Sequence, residues 1–97
     1  MQPRYLPGAP PRAVTLTTAS QIICPPKWER RLLIICNDSS IDVYLARGQT
    51  AIVNAGILLP ADGGTLIDQP NVLGYMYPGE WSAIAASGTP VITISEE

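Results

Sequence analysis

The chain has 97 residues, 46% of them hydrophobic and 14% charged, with a net charge of −2. That length holds one domain with its own core, and so low a charged fraction, against roughly 25% in typical soluble domains, implies either modest solubility or surface hidden against a partner. The few scattered Lys and Arg form no basic face for nucleic acid, the absence of histidine removes the commonest general base and metal ligand, and no apolar run is long enough for a membrane span.

Residues 1–12 contain Pro3, Pro7, Pro10 and Pro11, which favour extended, polyproline-like backbone and cannot donate to a sheet ladder. Arg4 and Arg12 flank no apolar stretch of the kind a secretory signal needs. The segment reads either as a frayed terminus or as an arm lying on a neighbouring subunit, with Tyr5 and Leu6 as apolar anchors and Pro7, Pro10 and Pro11 stiffening it. Residues 13–97 then form the folded domain.

Residues 13–18 read as a first strand, with Val14 and Leu16 alternating against threonines, and 20–24 as a second, stopped by Pro25-Pro26. Trp28, in the following connection, is expected to lie over the edge of the core. Residues 30–47 hold the pattern of a central β-hairpin: Leu32 to Cys36, then Asn37-Asp38-Ser39-Ser40, then Ile41 to Leu45. The first run is unbroken and predicts a strand covered on both faces, whereas Ile41, Val43 and Leu45 alternate with Asp42, Tyr44 and Ala46.

Residues 48–56 read as a long loop with at most one short strand. Residues 56–60 and 64–68 face each other across Asp62-Gly63, a second hairpin signal. Residues 72–77 read as a strand followed by a type II turn at Pro78-Gly79. Residues 81–86 and 90–95 supply the last strands, with Pro90 confined to a strand start or an edge. Many short strands and no credible helix predict an all-β fold, an antiparallel β-sandwich with jelly-roll character. Its expected core is Leu32, Ile34, Ile41, Val43, Leu45, Leu58, Leu66, Ile84, Ile92 and Ile94, with Cys24 and Cys36 as buried, reduced thiols.

Catalytic and metal chemistry finds little support. Asp38, Asp62, Glu80 and Glu97 sit in turns or at the terminus, and Asp42 and Asp68 are expected to face outward, so no carboxylate pair stands out. Ser87-Gly88 is no nucleophile elbow, and two cysteines without histidine make no zinc site. Gly63-Gly64 is no phosphate loop, and the oxygen donors near Asn37-Asp38 and Asp62 are too few for calcium. The expectation is a non-enzyme without metal or cofactor. The aromatic residues Trp28, Tyr75, Tyr77 and Trp81 are the candidates for a contact surface; with Tyr44 they form either a sugar-stacking platform or a core and subunit interface.

One further pattern covers residues 31–96, roughly two thirds of the chain: Arg31 opening an apolar strand, Asn and a polar turn, Ile-Asp-Val-Tyr-Leu, a small-residue loop into Gly56-Ile-Leu-Leu-Pro60, Trp81-Ser-Ala-Ile-Ala-Ala-Ser-Gly-Thr89, and Val91-Ile-Thr-Ile-Ser-Glu96. It resembles small β-sandwich virion proteins of tailed bacteriophages. The resemblance implies capsid decoration or cementing: binding to the major capsid protein, self-association as a trimer or dimer, assembly in the host cytoplasm and residence on the capsid surface. It equally accommodates a head–tail connector or tail component, and the aromatic residues leave a carbohydrate- or receptor-binding module as the other reading.

Overall fold

The structure, a computed structural model, describes residues 11–97. These form eight strands and no helix: β1 (Arg12–Thr15), β2 (Gln21–Cys24), β3 (Leu33–Asn37), β4 (Val43–Arg47), β5 (Ile57–Leu59), β6 (Gly64–Asp68), β7 (Trp81–Ala85) and β8 (Val91–Glu96). They pair in two four-stranded antiparallel sheets, β1-β8-β3-β6 and β2-β7-β4-β5. This is the strand order of an eight-stranded jelly roll. Every connection except β4–β5 crosses from one sheet to the other.

Both predicted hairpins are therefore corrected. β3 and β4 belong to different sheets, and so do β5 and β6. Turn chemistry dictates that the chain reverses, not whether it rejoins the same sheet. Asp62 and Gly63 do take positive φ, at 62° and 103°, but they reverse the chain between sheets. The two reversals are bound together: Asp62 N–H donates to Ser39 O at 2.8 Å, Gly63 N–H to Asn37 O at 2.8 Å, and Ala61 N–H to Asp42 Oδ1 at 2.9 Å. Asn37 is fully buried among them. Its Nδ2 donates to the carbonyls of Ile41 (2.7 Å) and Leu59 (3.0 Å), and its Oδ1 accepts from Ser39 N–H and Oγ.

Period-two alternation sorts side chains into the space between the sheets. Leu33 and Ile35 of β3, Val43 and Leu45 of β4, Leu59 of β5, Trp81, Ala83 and Ala85 of β7, and Ile92 and Ile94 of β8 make the core, closed by Leu16, Ile23 and Cys24. Of the expected core, Val43, Leu45, Ile92 and Ile94 are in place, and Leu66 packs half-buried against it. Leu32, Ile34 and Ile41 are only half-buried, and Leu58 is exposed. The phase of β3 is one residue later than expected: an unbroken apolar run carries no alternation from which to read a phase, and a one-residue slip exchanges the two faces. β3 is not covered equally on both faces, since Ile34 and Cys36 project outward.

Ile84 is buried, but on the other side of β7 from the core. It and buried Ser82 lie on the outer face of the second sheet, against which loop 48–56 is held. Tyr44 Oη donates to Asn54 Oδ1 at 2.9 Å, and Ala51 N–H to Ser20 Oγ at 2.9 Å. Residues 72–77 are not a strand. Asn71 Oδ1 accepts from Leu73 N–H and Tyr75 N–H, and Gly74 turns at φ 84°, so a side chain competes with the ladder for these backbone groups. Gly79 does not adopt positive φ, which excludes the type II turn expected at Pro78-Gly79. Cys24 is buried and Cys36 half-exposed, on different sheets, and both are free.

Candidate interaction site

Strand polarity decides where polar groups collect. β1, β3, β6 and β8 place Arg12, Leu33, Asp68 and Glu96 at one end of the sandwich, joined there by Arg47 and Trp81 of the second sheet. Register puts Arg12, Asp68 and Glu96 on the inward face of the first sheet, so this end of the core is closed by charge. Asp68 thus faces in, not out, and its Oδ1 lies 3.9 Å from Arg47 Nη2 across the gap between sheets.

The centre of this end is Arg30, whose side chain is fully buried. Its Nε donates to Glu96 Oε2 at 3.0 Å, one Nη to the carbonyls of Tyr77 (3.3 Å) and Gly79 (3.0 Å), and the other to Pro25 O at 2.9 Å. Arg12 binds the second Glu96 oxygen at 3.0 Å, and also donates to Ile23 O at 3.0 Å. A planar guanidinium with five donors ties three loop carbonyls to one strand end, which explains how residues 25–32 and 69–80 keep their shape without a sheet ladder. Cys24 lies beside Arg12, and burial, reinforced by Glu96 and opposed by Arg12 and Arg30, pushes its thiol from 9.0 up to about 11.

The four expected contact aromatics divide into two pairs. Trp81 is wholly buried, with Tyr77 edge-on to it at 6.2 Å and 80° and the Arg47 guanidinium over both rings at 5.0 and 5.6 Å. This pair is packing, the guanidinium adding a cation–π contact of about 0.5–1 kcal/mol. Trp28 and Tyr75 remain outside, 82% and 72% exposed. Trp28 therefore does not cover the core edge, because Arg30 and the carbonyls it binds already close it.

Trp28 and Tyr75 line a hollow of about 310 Å³ together with Glu29, Arg31, Pro70 and Pro78. Val72 and Leu73, fully and 75% exposed, extend the apolar surface along the same loop. Sequence reasoning singled out Trp28 and Tyr75 but missed the role of Arg30. An arginine followed by arginine at the start of an apolar run carries no sign of which one turns inward.

Tyr5, Leu6, Pro7 and Pro10 lie outside the described residues; Pro11 is exposed immediately before β1, and Arg12 is the first residue of that strand. Among the described residues no group of three or more His, Cys, Asp or Glu comes together in a way that could hold a metal ion. Comparison with known protein families, with curated proteins and with solved structures returns no match.

Proposed function

We propose that this chain is a structural virion protein that decorates or cements a phage capsid, binding the major capsid subunits and associating with copies of itself. The observation that carries the reading is the placement of charge. The outer face of the first sheet presents Ala13, Thr15, Ile34, Cys36, Thr65, Ile67, Val91, Thr93 and Ser95, with no charged residue among them. On the outer face of the second sheet Ser82 and Ile84 are already covered by the chain itself, and the exposed Ile22 and Leu58 add uncharged apolar surface. Solvated antiparallel faces ordinarily alternate core residues with polar and charged ones. Faces of this composition suit burial against other subunits, where charged residues are depleted.

The jelly roll is used in viral capsid and lectin domains alike, which is an analogy of fold and leaves the assignment to the surfaces. The resemblance over residues 31–96 adds the capsid context. A head–tail connector shares these surfaces and differs in symmetry and partner.

The test is co-sedimentation with particles of the phage whose genome encodes the chain. The intact protein is expected to pellet with mature heads, and deletion of residues 1–11, which spares the Arg12–Glu96 pair, to weaken binding at least tenfold. Equal binding by the truncated chain removes the arm from the mechanism. An intact protein that stays monomeric and binds no particle removes the proposal.

A further inference from the structure

Large aromatic rings left in water around a concave surface have the composition of contact hot spots. Here Trp28 and Tyr75 flank the hollow, Pro70 and Pro78 add flat apolar surface, and the Trp28 indole and the Arg31 guanidinium are hydrogen-bond donors among its lining groups. Rings with interspersed donors match one kind of ligand well. A polyproline-type segment offers pyrrolidine faces to stack on rings and leaves all its carbonyls free to accept.

Such a segment is part of this chain. Residues 1–11 read Met-Gln-Pro-Arg-Tyr-Leu-Pro-Gly-Ala-Pro-Pro, with Arg4 carrying the charge opposite to that of Glu29. The geometry points to the Trp28–Tyr75 hollow as the docking groove for the Pro-rich N-terminal segment of a second copy of the chain. This rests on the reading of residues 1–11 as a binding arm and names where that arm goes.

Reach favours a second copy over the chain's own groove. Arg12 shares Glu96 with Arg30, and Arg30 borders the hollow, so the segment is attached close beside its own groove. Were residues 5–12 to take polyproline-type backbone, at about 3.1 Å per residue, Tyr5 and Leu6 would lie roughly 20 Å from Arg12, beyond that groove. The resulting contact is head-to-tail: each copy gives a segment to one neighbour and receives one from another, which closes a ring or continues along a shell.

The experiment uses the isotope-labelled full chain and a synthetic peptide of residues 1–12. The indole N–H signal of exposed Trp28 is read against that of buried Trp81. Diluting the full chain is expected to shift the Trp28 signal progressively, adding peptide to the dilute chain to shift it back, and Trp81 to stay fixed in both. Tyr75→Ala, at an exposed position, is expected to weaken peptide binding at least tenfold while leaving Trp81 unchanged. A peptide that moves neither Trp28 nor Tyr75 overturns the inference, as does unaltered affinity in Tyr75→Ala. A Trp28 signal independent of concentration, which peptide cannot displace, overturns the second copy as occupant. If Trp28→Ala binds particles normally while deletion of residues 1–11 does not, the groove is wrong and the arm stands. If the peptide binds the groove but the intact chain binds no particle, the groove stands and the capsid reading falls.

Discussion

Arg30 satisfies three carbonyls and one carboxylate oxygen from a position without solvent. Arg30→Ala takes the donor from three partly buried carbonyls and one Glu96 oxygen, while Arg12 still holds the other, and the expected cost is about 2–3 kcal/mol, read as a lowered urea midpoint. Arg12→Ala, whose side chain is 38% exposed, keeps the Arg30–Glu96 pair and is expected to cost about 1 kcal/mol.

Cys24 makes a prediction in pH. Its thiol is pushed from 9.0 to about 11 in the folded chain, mainly by burial, so the unfolded chain releases the proton first. That contribution to stability is complete below about pH 9 and is lost as pH rises toward 11. At about 1.4 kcal/mol per unit its size is on the order of 3 kcal/mol. Denaturation midpoints measured from pH 8 to 11 are expected to fall more steeply for the native chain than for Cys24→Ala. Alkylation of the denatured, unreduced chain is expected to label both thiols.

Among the elements, β3 tests the phase of the sandwich. Leu33 is wholly buried and Leu32 half-buried, so Leu33→Ala is expected to cost about 2–5 kcal/mol and Leu32→Ala clearly less. Comparable losses for both would mean that the run is covered on each face after all. The hairpin β4–β5 returns through Gly56 at φ 84°, where an added Cβ would stand 2.7 Å from Leu45 O. Gly56→Ala therefore combines a left-handed penalty of about 1–2 kcal/mol with a backbone clash, and is expected to lower the thermal midpoint.

For the whole molecule the distribution of charge is the governing feature. Among the described residues, one end carries the Arg12–Glu96–Arg30 and Arg47–Asp68 groups; at the other, Asp38, Asp42 and Asp62 are the only charged residues, and the sheet faces between have none. Under the proposed function, association through the outer face of the first sheet is expected to persist from about 0.1 to 1 M salt, where the Debye length falls from about 10 to 3 Å. Sedimentation velocity across that range checks it; dissociation at high salt would place the contact on the charged ends.

The all-β class, the positions of β2, β5, β6, β7 and β8 and the reversals at Asn37–Asp42 and Asp62-Gly63 were legible in the sequence. Each follows from a local property: β-branched runs, alternation or turn residues. Sheet membership was not. Turn residues such as Asn37 and Ser39 are the same for a return to the partner strand and for a crossing to the other sheet. Only the competition of all eight strands for neighbours, β3 with β6 and β8, β4 with β5 and β7, decides between them. The phase of Leu32 to Cys36 and the division of Trp28, Tyr75, Tyr77 and Trp81 were decided in the same way. An unbroken apolar run and a set of aromatics state how much surface there is to bury, whereas which side chain is buried depends on contacts distant in the chain. Tertiary structure gave Trp81 the core, Arg30 the mouth of the sandwich, and left Trp28 and Tyr75 outside.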